Sequence, residues 1–360
     1  MAQEHQAINL SQGFPDFHIS DELIRLTEIA MKSGRNQYAP MAGLPQLRER
    51  IAEKKADTFN CSVDPETEIT VTAGATEALF ASITALVHSG DEVIIFDPAY
   101  DSYAPAVQLS GGTPVHVDLC QPDFHVDWEL VGQKINSKTR LLIINTPHNP
   151  TGSVLSSQDL DELEKLVKKH SFTILSDEVY EHLIFDGLNH QSLLRRPALR
   201  ARSISVFSFG KTFHATGWKI GYAIAPPELT EEIRRVHQFL TFSVNTPIQY
   251  ALAEFLESKD HYESLSLFFQ QKRNLFLDHI SDSRFVPIAS HGTYFQLLSY
   301  KNISEESDVE LAVRLTCDHK IASIPISVFY KDRKDNHMLR FCFAKEDETI
   351  IKAGEILCRI

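Results

Sequence analysis

No stretch of this 360-residue chain approaches the roughly 18 to 20 consecutive apolar residues of a membrane-spanning helix, which argues against insertion in a bilayer. The opening Met1-Ala-Gln-Glu-His-Gln-Ala-Ile-Asn-Leu10 is polar and lacks the apolar core of a secretory signal. Cysteine is sparse too. Cys61, Cys120, Cys317, Cys342 and Cys358 are scattered, odd in number and never spaced C-x-x-C, so neither a zinc site nor a disulfide framework is expected, and reduced thiols in a cytoplasm are. Positive charge is in deficit. With 35 Lys and Arg against 48 Asp and Glu, the formal charge of −13 argues against a nucleic-acid partner and leaves small charged substrates open. Two nucleotide signatures are missing as well: no G-x-G-x-x-G occurs, and Gly210-Lys211-Thr212 fails as a P-loop because position 205 is Ser205 rather than glycine.

What remains is an ordinary globular composition, 43% hydrophobic and 23% charged, in a chain long enough for two domains. Short apolar runs at 69–72, 92–96, 141–144 and 172–175 alternate with helical periodicity at 77–87 and 157–169. Such alternation predicts an α/β fold with a mostly parallel central sheet covered by helices. Earlier helices are expected over 22–33 and 44–58, and from about Gln249 the pattern changes. A long helix over 251–281, a strand at 294–298, a helix over 308–319 and a strand at 338–343 read as a smaller α+β domain. The expected division is residues 1–35 as an N-terminal part of the small domain, 36–250 as the large domain and 251–360 as its C-terminal part.

In sheets of this kind, ligands sit at the carboxyl ends of the strands. The polar motifs obey that rule: Gly74-Ala-Thr76, 97–103, 145–152, Asp177-Glu-Val-Tyr180 and Ser208 to Lys211 each follow an apolar run. Lys211 is the candidate covalent anchor, because a partly desolvated lysine near a second cation can form an imine with a carbonyl at neutral pH. Ala75 and Thr76 open a helix whose free N–H groups suit a phosphate. Asp177 can keep a pyridine nitrogen protonated, Asn149 and Tyr180 can bond a ring hydroxyl, Tyr100 can stack on the ring, and Arg340 can take a carboxylate with two parallel bonds. Taken singly, each has an ordinary explanation: a helix cap, a turn, a packed aromatic, a rim salt bridge. Arg340 in particular alternates with apolar neighbours, so it points away from a buried face unless a pocket requires it.

Their order is more specific. The run Asn149-Pro-Thr-Gly152, Asp177-x-x-Tyr180, Ser208-x-x-Lys211-x7-Lys219-x-Gly221 and Arg340 resembles the class I and II aminotransferases of pyridoxal 5'-phosphate (PLP) fold type I, over nearly the whole chain. The stretches Asn9-Leu-Ser-Gln-Gly-Phe-Pro-Asp16 and Asn36-Gln-Tyr-Ala-Pro-Met-Ala-Gly43 are most similar to bacterial methionine aminotransferases and the kynurenine and glutamine transaminase K group.

That resemblance implies a metal-free, PLP-dependent transfer of the amino group of methionine, or another bulky neutral or aromatic amino acid, to a 2-oxo acid by a ping-pong aldimine/ketimine mechanism. The alternative is a kynurenine or glutamine transaminase with cysteine-conjugate β-lyase activity. Lys211 would anchor the cofactor and move the Cα proton. Asp177 would meet the pyridine nitrogen, Asn149 and Tyr180 the ring oxygen, and Ala75, Thr76, Ser208 and Lys219 the phosphate. Tyr38 would reach the phosphate from the second subunit of a homodimer. Gly13, Asn149 and Arg340 would bind the substrate carboxylate, with Phe14 and Tyr100 shaping the side-chain pocket. Two departures are expected to matter: lysine at 219 where many relatives carry arginine, and a short segment before Ser11, which bears on closure and dimer strength. A transcription regulator on the same scaffold would carry an added basic DNA-binding module, which the charge of −13 disfavours.

Overall fold

The computed structural model describes residues 1–360. Seven strands form the central sheet, in the spatial order Ile69–Thr72, Gly221–Ile224, Ser203–Ser208, Thr173–Asp177, Thr139–Asn145, Glu92–Asp97 and Thr113–Asp118. All neighbours pair parallel except Gly221–Ile224, which runs antiparallel to both strands beside it. The mostly parallel sheet expected from the alternation is therefore present. Its strands are apolar throughout: Leu141, Leu142, Ile143 and Ile144 are all buried, as a sheet covered on both faces demands. Each such side chain contributes roughly 1.5–3 kcal/mol on burial.

Local signals fix the helices that separate the strands. Ser156 and Asp159 close a reciprocal capping box at the start of Ser157–Lys169, and Lys168 and Lys169 stand in its last turn, where cations offset the helix dipole. Pro45 begins the helix Pro45–Phe59, and Asn60 ends it in the left-handed region at φ 53°.

A smaller antiparallel sheet joins Ile324–Pro325, Met338–Cys342, Phe295–Ser299 and Val286–Pro287. Ile8–Asn9 pairs in parallel with Ile321–Ala322, so the N-terminal segment enters the same region. The helix Asp21–Lys32 packs instead on Thr246–Phe255.

One expectation needs correction. The long helix over 251–281 is broken into Thr246–Phe255, Asp260–Glu263 and Leu265–His279. Glu257-Ser-Lys-Asp260 offers no apolar residue to continue a buried stripe, so nothing holds that turn against the core. Arg340, expected to face away from a buried face unless a pocket requires it, is itself buried. Met338–Cys342 lies between two other strands, and all five of its residues, Arg340 included, are buried.

Candidate active site

Asn145, Asp177 and Ser208 are the last residues of three adjacent parallel strands, and Gly74 follows the strand ending at Thr72. Sheet pairing thus brings together side chains that are far apart in sequence. Around them a cavity of about 190 Å³ is lined by Ala75, Thr76, Tyr100, Asn149, Asp177, Tyr180, Ser208, Lys211 and Lys219 among others.

One end of the cavity is built for an anion. The helix Ala75–Leu86 starts there, with Gly74 at φ 79°, a conformation that costs a side-chain-bearing residue strain. A Cβ on Gly74 would stand 3.4 Å from Lys219 Nζ, so that ammonium lies over the helix N-terminus. Gly221 is equally constrained: a Cβ there would come within 2.7 Å of the Ala75 nitrogen. Lys219 itself adopts φ 52°, which turns the chain back toward this end. Ser208 Oγ accepts from the Lys211 N–H at 3.2 Å and caps the short helix Phe209–Thr212 that carries the lysine.

At the centre, Lys211 Nζ donates to the Gly13 carbonyl at 3.0 Å and to Tyr294 Oη at 2.7 Å. Burial lowers its pKa from 10.5 to about 8, so about a tenth of it is neutral near pH 7, far more than for an exposed lysine. Asp177 is buried deeper in the sheet. Its carboxylate accepts from Tyr103 Oη at 2.6 Å and from the Val179 N–H at 3.4 Å, yet burial still raises its pKa to about 6. A buried carboxylate so disfavoured gains from a cationic partner.

On the far side, Arg340 Nη1 donates to Asn149 Oδ1 at 2.7 Å and Nη2 to the Ser11 carbonyl at 3.1 Å. Its guanidinium lies 4.0 Å from the centre of the Phe295 ring and 4.9 Å from that of Phe329. Arg340 Nε is buried with no hydrogen-bond partner. An unmatched donor on a buried cation suits an anionic ligand.

Not every expected residue reaches this cavity from within one chain. Gly13 joins it through its carbonyl, and Phe14 sits half-exposed beside it, its carbonyl accepting from Lys345 Nζ at 2.9 Å. Tyr38 lies elsewhere, 82% exposed and packed edge-on against Phe242. Tyr103 and Tyr294 were not singled out from the sequence. Both are aromatics inside regular elements or at their ends, where packing is the ordinary explanation, and only the fold shows which polar atom each hydroxyl meets.

Residues 5–356 match the family described as aminotransferase class I and II. The chain belongs to that family. It is 49% identical to a methionine aminotransferase of Escherichia coli over 99% of this chain and 93% of that protein. It is 33% identical to kynurenine–oxoglutarate transaminase 1 of Mus musculus, again over 99% of this chain and 93% of the relative. A crystal structure identified with methionine aminotransferase function in Escherichia coli superposes with a TM-score of 0.98 at 48% identity, covering all of this chain and 94% of the other. The N-succinyldiaminopimelate aminotransferase of Mycobacterium tuberculosis superposes at 0.96 with 35% identity, covering 99% and 94%.

The protein is thus an aminotransferase, and its cofactor is PLP. The residues present fit that group. A helix N-terminus with a lysine over it suits the phosphate, the buried acid suits a protonated pyridine nitrogen, and the lysine with depressed pKa suits the aldehyde.

Proposed function

We propose that this aminotransferase takes its amino group from methionine, with other bulky neutral and aromatic amino acids as further donors, and passes it to a 2-oxo acid. The observation that carries the reading is the pairing of Lys211 and Asp177 in one cavity, with Arg340 bonded to its lining residue Asn149 and set against the Phe295 and Phe329 rings. When bound, PLP supplies a carbonyl that takes up the amino group and a protonated ring that accepts electron density from the substrate's Cα.

The chain's own residues do the rest. Ala75 and Thr76 N–H, Ser208 and Lys219 would hold the phosphate, and Asn149 and Tyr180 the ring oxygen. Asp177 would keep the ring nitrogen protonated, and Tyr100, which lines the same cavity, would pack on the ring. Lys211 Nζ would anchor the cofactor and would take the Cα proton; its lowered pKa supports that role. Arg340, held by Asn149 and Ser11, presents two-point binding to the α-carboxylate together with Asn149 and the Gly13 backbone. Phe14 borders the space for the donor's side chain.

The 49% identity to a methionine aminotransferase supports methionine as donor. Kynurenine–oxoglutarate transaminases at 32–34% identity support a second reading, kynurenine or glutamine transamination with β-elimination from cysteine conjugates, since both begin by removing the Cα proton.

We further propose a cytoplasmic homodimer in which Tyr38 completes the partner's phosphate site. Its exposure beside Phe242, with Phe239 85% exposed nearby in sequence, supports an apolar face that a second copy covers. The division into residues 1–35 and 251–360 as one domain and 36–250 as the other is supported by the pairing of Ile8–Asn9 with Ile321–Ala322. A panel of amino acids tested against several 2-oxo acids, read by product formation, tests the substrate reading. Aspartate as best donor would sink it.

A further inference from the structure

Tyr294 belongs to neither the phosphate end nor the carboxylate side of the site, yet its hydroxyl meets the reactive amine. Lys211 Nζ donates to Tyr294 Oη at 2.7 Å, and Tyr294 Oη donates to the Gly13 carbonyl at 2.6 Å. Lys211 Nζ donates to the same carbonyl at 3.0 Å, which closes a three-membered ring of polar atoms. Such a ring leaves the amine little rotational freedom.

The phenol is itself immobilised. Tyr294 is fully buried, with the Tyr180 ring edge-on at 5.1 Å and Phe295 at 4.9 Å. Thr293, just before it, adopts φ 67°, a left-handed conformation that a β-branched residue takes only where its surroundings impose it. The Thr293 N–H is tied to the Leu183 carbonyl at 3.0 Å, and its Oγ1 accepts from the Phe295 N–H at 3.1 Å. Gly13 fits closely on the other side, where an added Cβ would come within 2.7 Å of the Phe295 ring.

We propose that Tyr294 is a positioning residue for Lys211: its hydroxyl holds Nζ against the Gly13 carbonyl whenever the lysine is not joined to the cofactor. This rests on Lys211 being the reacting amine of the proposed function. A lysine stem has four rotatable bonds, and an amine free to wander after its release delivers a proton poorly. Because Gly13 lies in the segment that borders the substrate, the same contact sets the amine by the position of that segment. The hydroxyl stays protonated, since burial raises the Tyr294 pKa well above its ordinary value, so it acts by hydrogen bonding and not as a base.

The test compares the parent, Tyr294→Phe and Tyr300→Phe. Tyr300 is a buried tyrosine next to the same strand, but its hydroxyl serves the Glu306 carbonyl. In the cofactor-free proteins, reductive methylation of Lys211 with formaldehyde and cyanoborohydride is followed against pH by peptide mapping. Loss of the accepting oxygen disfavours the ammonium, so the labelling midpoint in Tyr294→Phe should fall below the parent's by about half a pH unit or more, and Tyr300→Phe should match the parent. In the PLP-loaded proteins, kcat with methionine should fall about 10- to 100-fold in Tyr294→Phe, with KM within about 3-fold and a larger Cα-deuterium isotope effect. Unchanged midpoint and kcat in Tyr294→Phe overturn the proposal, as does an equal change in Tyr300→Phe. A parent in which borohydride places no pyridoxyl group on Lys211 overturns the functional reading, and this proposal with it.

Discussion

Tyr103 donates its hydroxyl proton to Asp177 Oδ2 at 2.6 Å, from a helix start to a strand end 74 positions later. The bond, with that of the Val179 N–H to Oδ1, holds the carboxylate without neutralising it. A tyrosine of strongly raised pKa donates a proton and keeps it, so Asp177 can still ionise opposite a cationic partner.

That anion is costly when nothing cationic faces it. Asp177 has a native pKa of about 6 against an ordinary 3.8, so between those values the folded chain holds a proton that the unfolded chain releases. Stability of the cofactor-free protein therefore falls as pH rises through this window, and the penalty is full above about 6. Asp177→Asn should stabilise the cofactor-free protein at pH 7 by on the order of 2 kcal/mol and have little effect at pH 4. The same substitution should cost far more activity than Tyr180→Phe, because Asn149 remains for the ring oxygen. Urea unfolding at the two pH values, with kcat measured at equal cofactor occupancy, checks both halves.

Lys211→Ala should abolish transamination while PLP still binds without a covalent bond. Borohydride reduction of the parent followed by peptide mapping should place the pyridoxyl group on Lys211. Label on another lysine would contradict the assignment.

Arg340 and Phe14 should separate in their kinetics. Arg340→Lys keeps the charge but loses the planar fork, which should cost roughly 2 to 4 kcal/mol in transition-state binding for every good donor alike. Phe14→Ala should weaken methionine and phenylalanine while leaving alanine nearly unchanged, because only bulky side chains bury surface there. Values of kcat/KM for methionine, phenylalanine, alanine and aspartate in both variants decide the matter.

Tyr38 should act across subunits. Mixing Tyr38→Ala with Lys211→Ala protein should regenerate about one quarter of the sites under random exchange of dimer subunits. Activity that never exceeds the sum of the two separate variants counts against a shared site.

A buried ion cluster behind the site gives a stability test independent of catalysis. Glu181, next to Tyr180, binds Lys54 Nζ and Lys55 Nζ at 2.6 Å each, with all three side chains almost fully buried. Glu181→Gln leaves two buried ammonium groups without their counter-ion and should destabilise the fold by about 3–5 kcal/mol. Lys55 already has its pKa lowered to about 7 by burial, against 10.5 ordinarily, and loss of the carboxylate lowers it further. Unfolding lysines then take up protons, so the variant's stability should rise with pH between 7 and 10. Chemical denaturation across that range measures it.

The residues legible in the sequence were those governed by one local rule. Asp177 and Ser208 end apolar strands and Lys211 comes just after one, and a parallel sheet puts such positions on one edge, so their convergence follows from the sequence pattern. Arg340 was legible as chemistry but not as geometry: alternation along one strand says nothing of a second strand covering its other side. The polar contacts of Tyr103 and Tyr294 were illegible because each depends on a partner far along the chain, and so was the break after Phe255, where a missing stripe matters more than helix propensity.

Ser11 and Arg340 share a hydrogen bond across 329 positions, and the Cys342 N–H reaches the Leu10 carbonyl at 2.8 Å. During synthesis on the ribosome, a chain that has just released Lys211 and Asp177 still lacks both the arginine and the strand that seats residues 10–13. The contacts that seat residues 10–11 on the strand Met338–Cys342 therefore form only once nearly the whole message has been read, whereas the strands ending at Asp177 and Ser208 are complete long before.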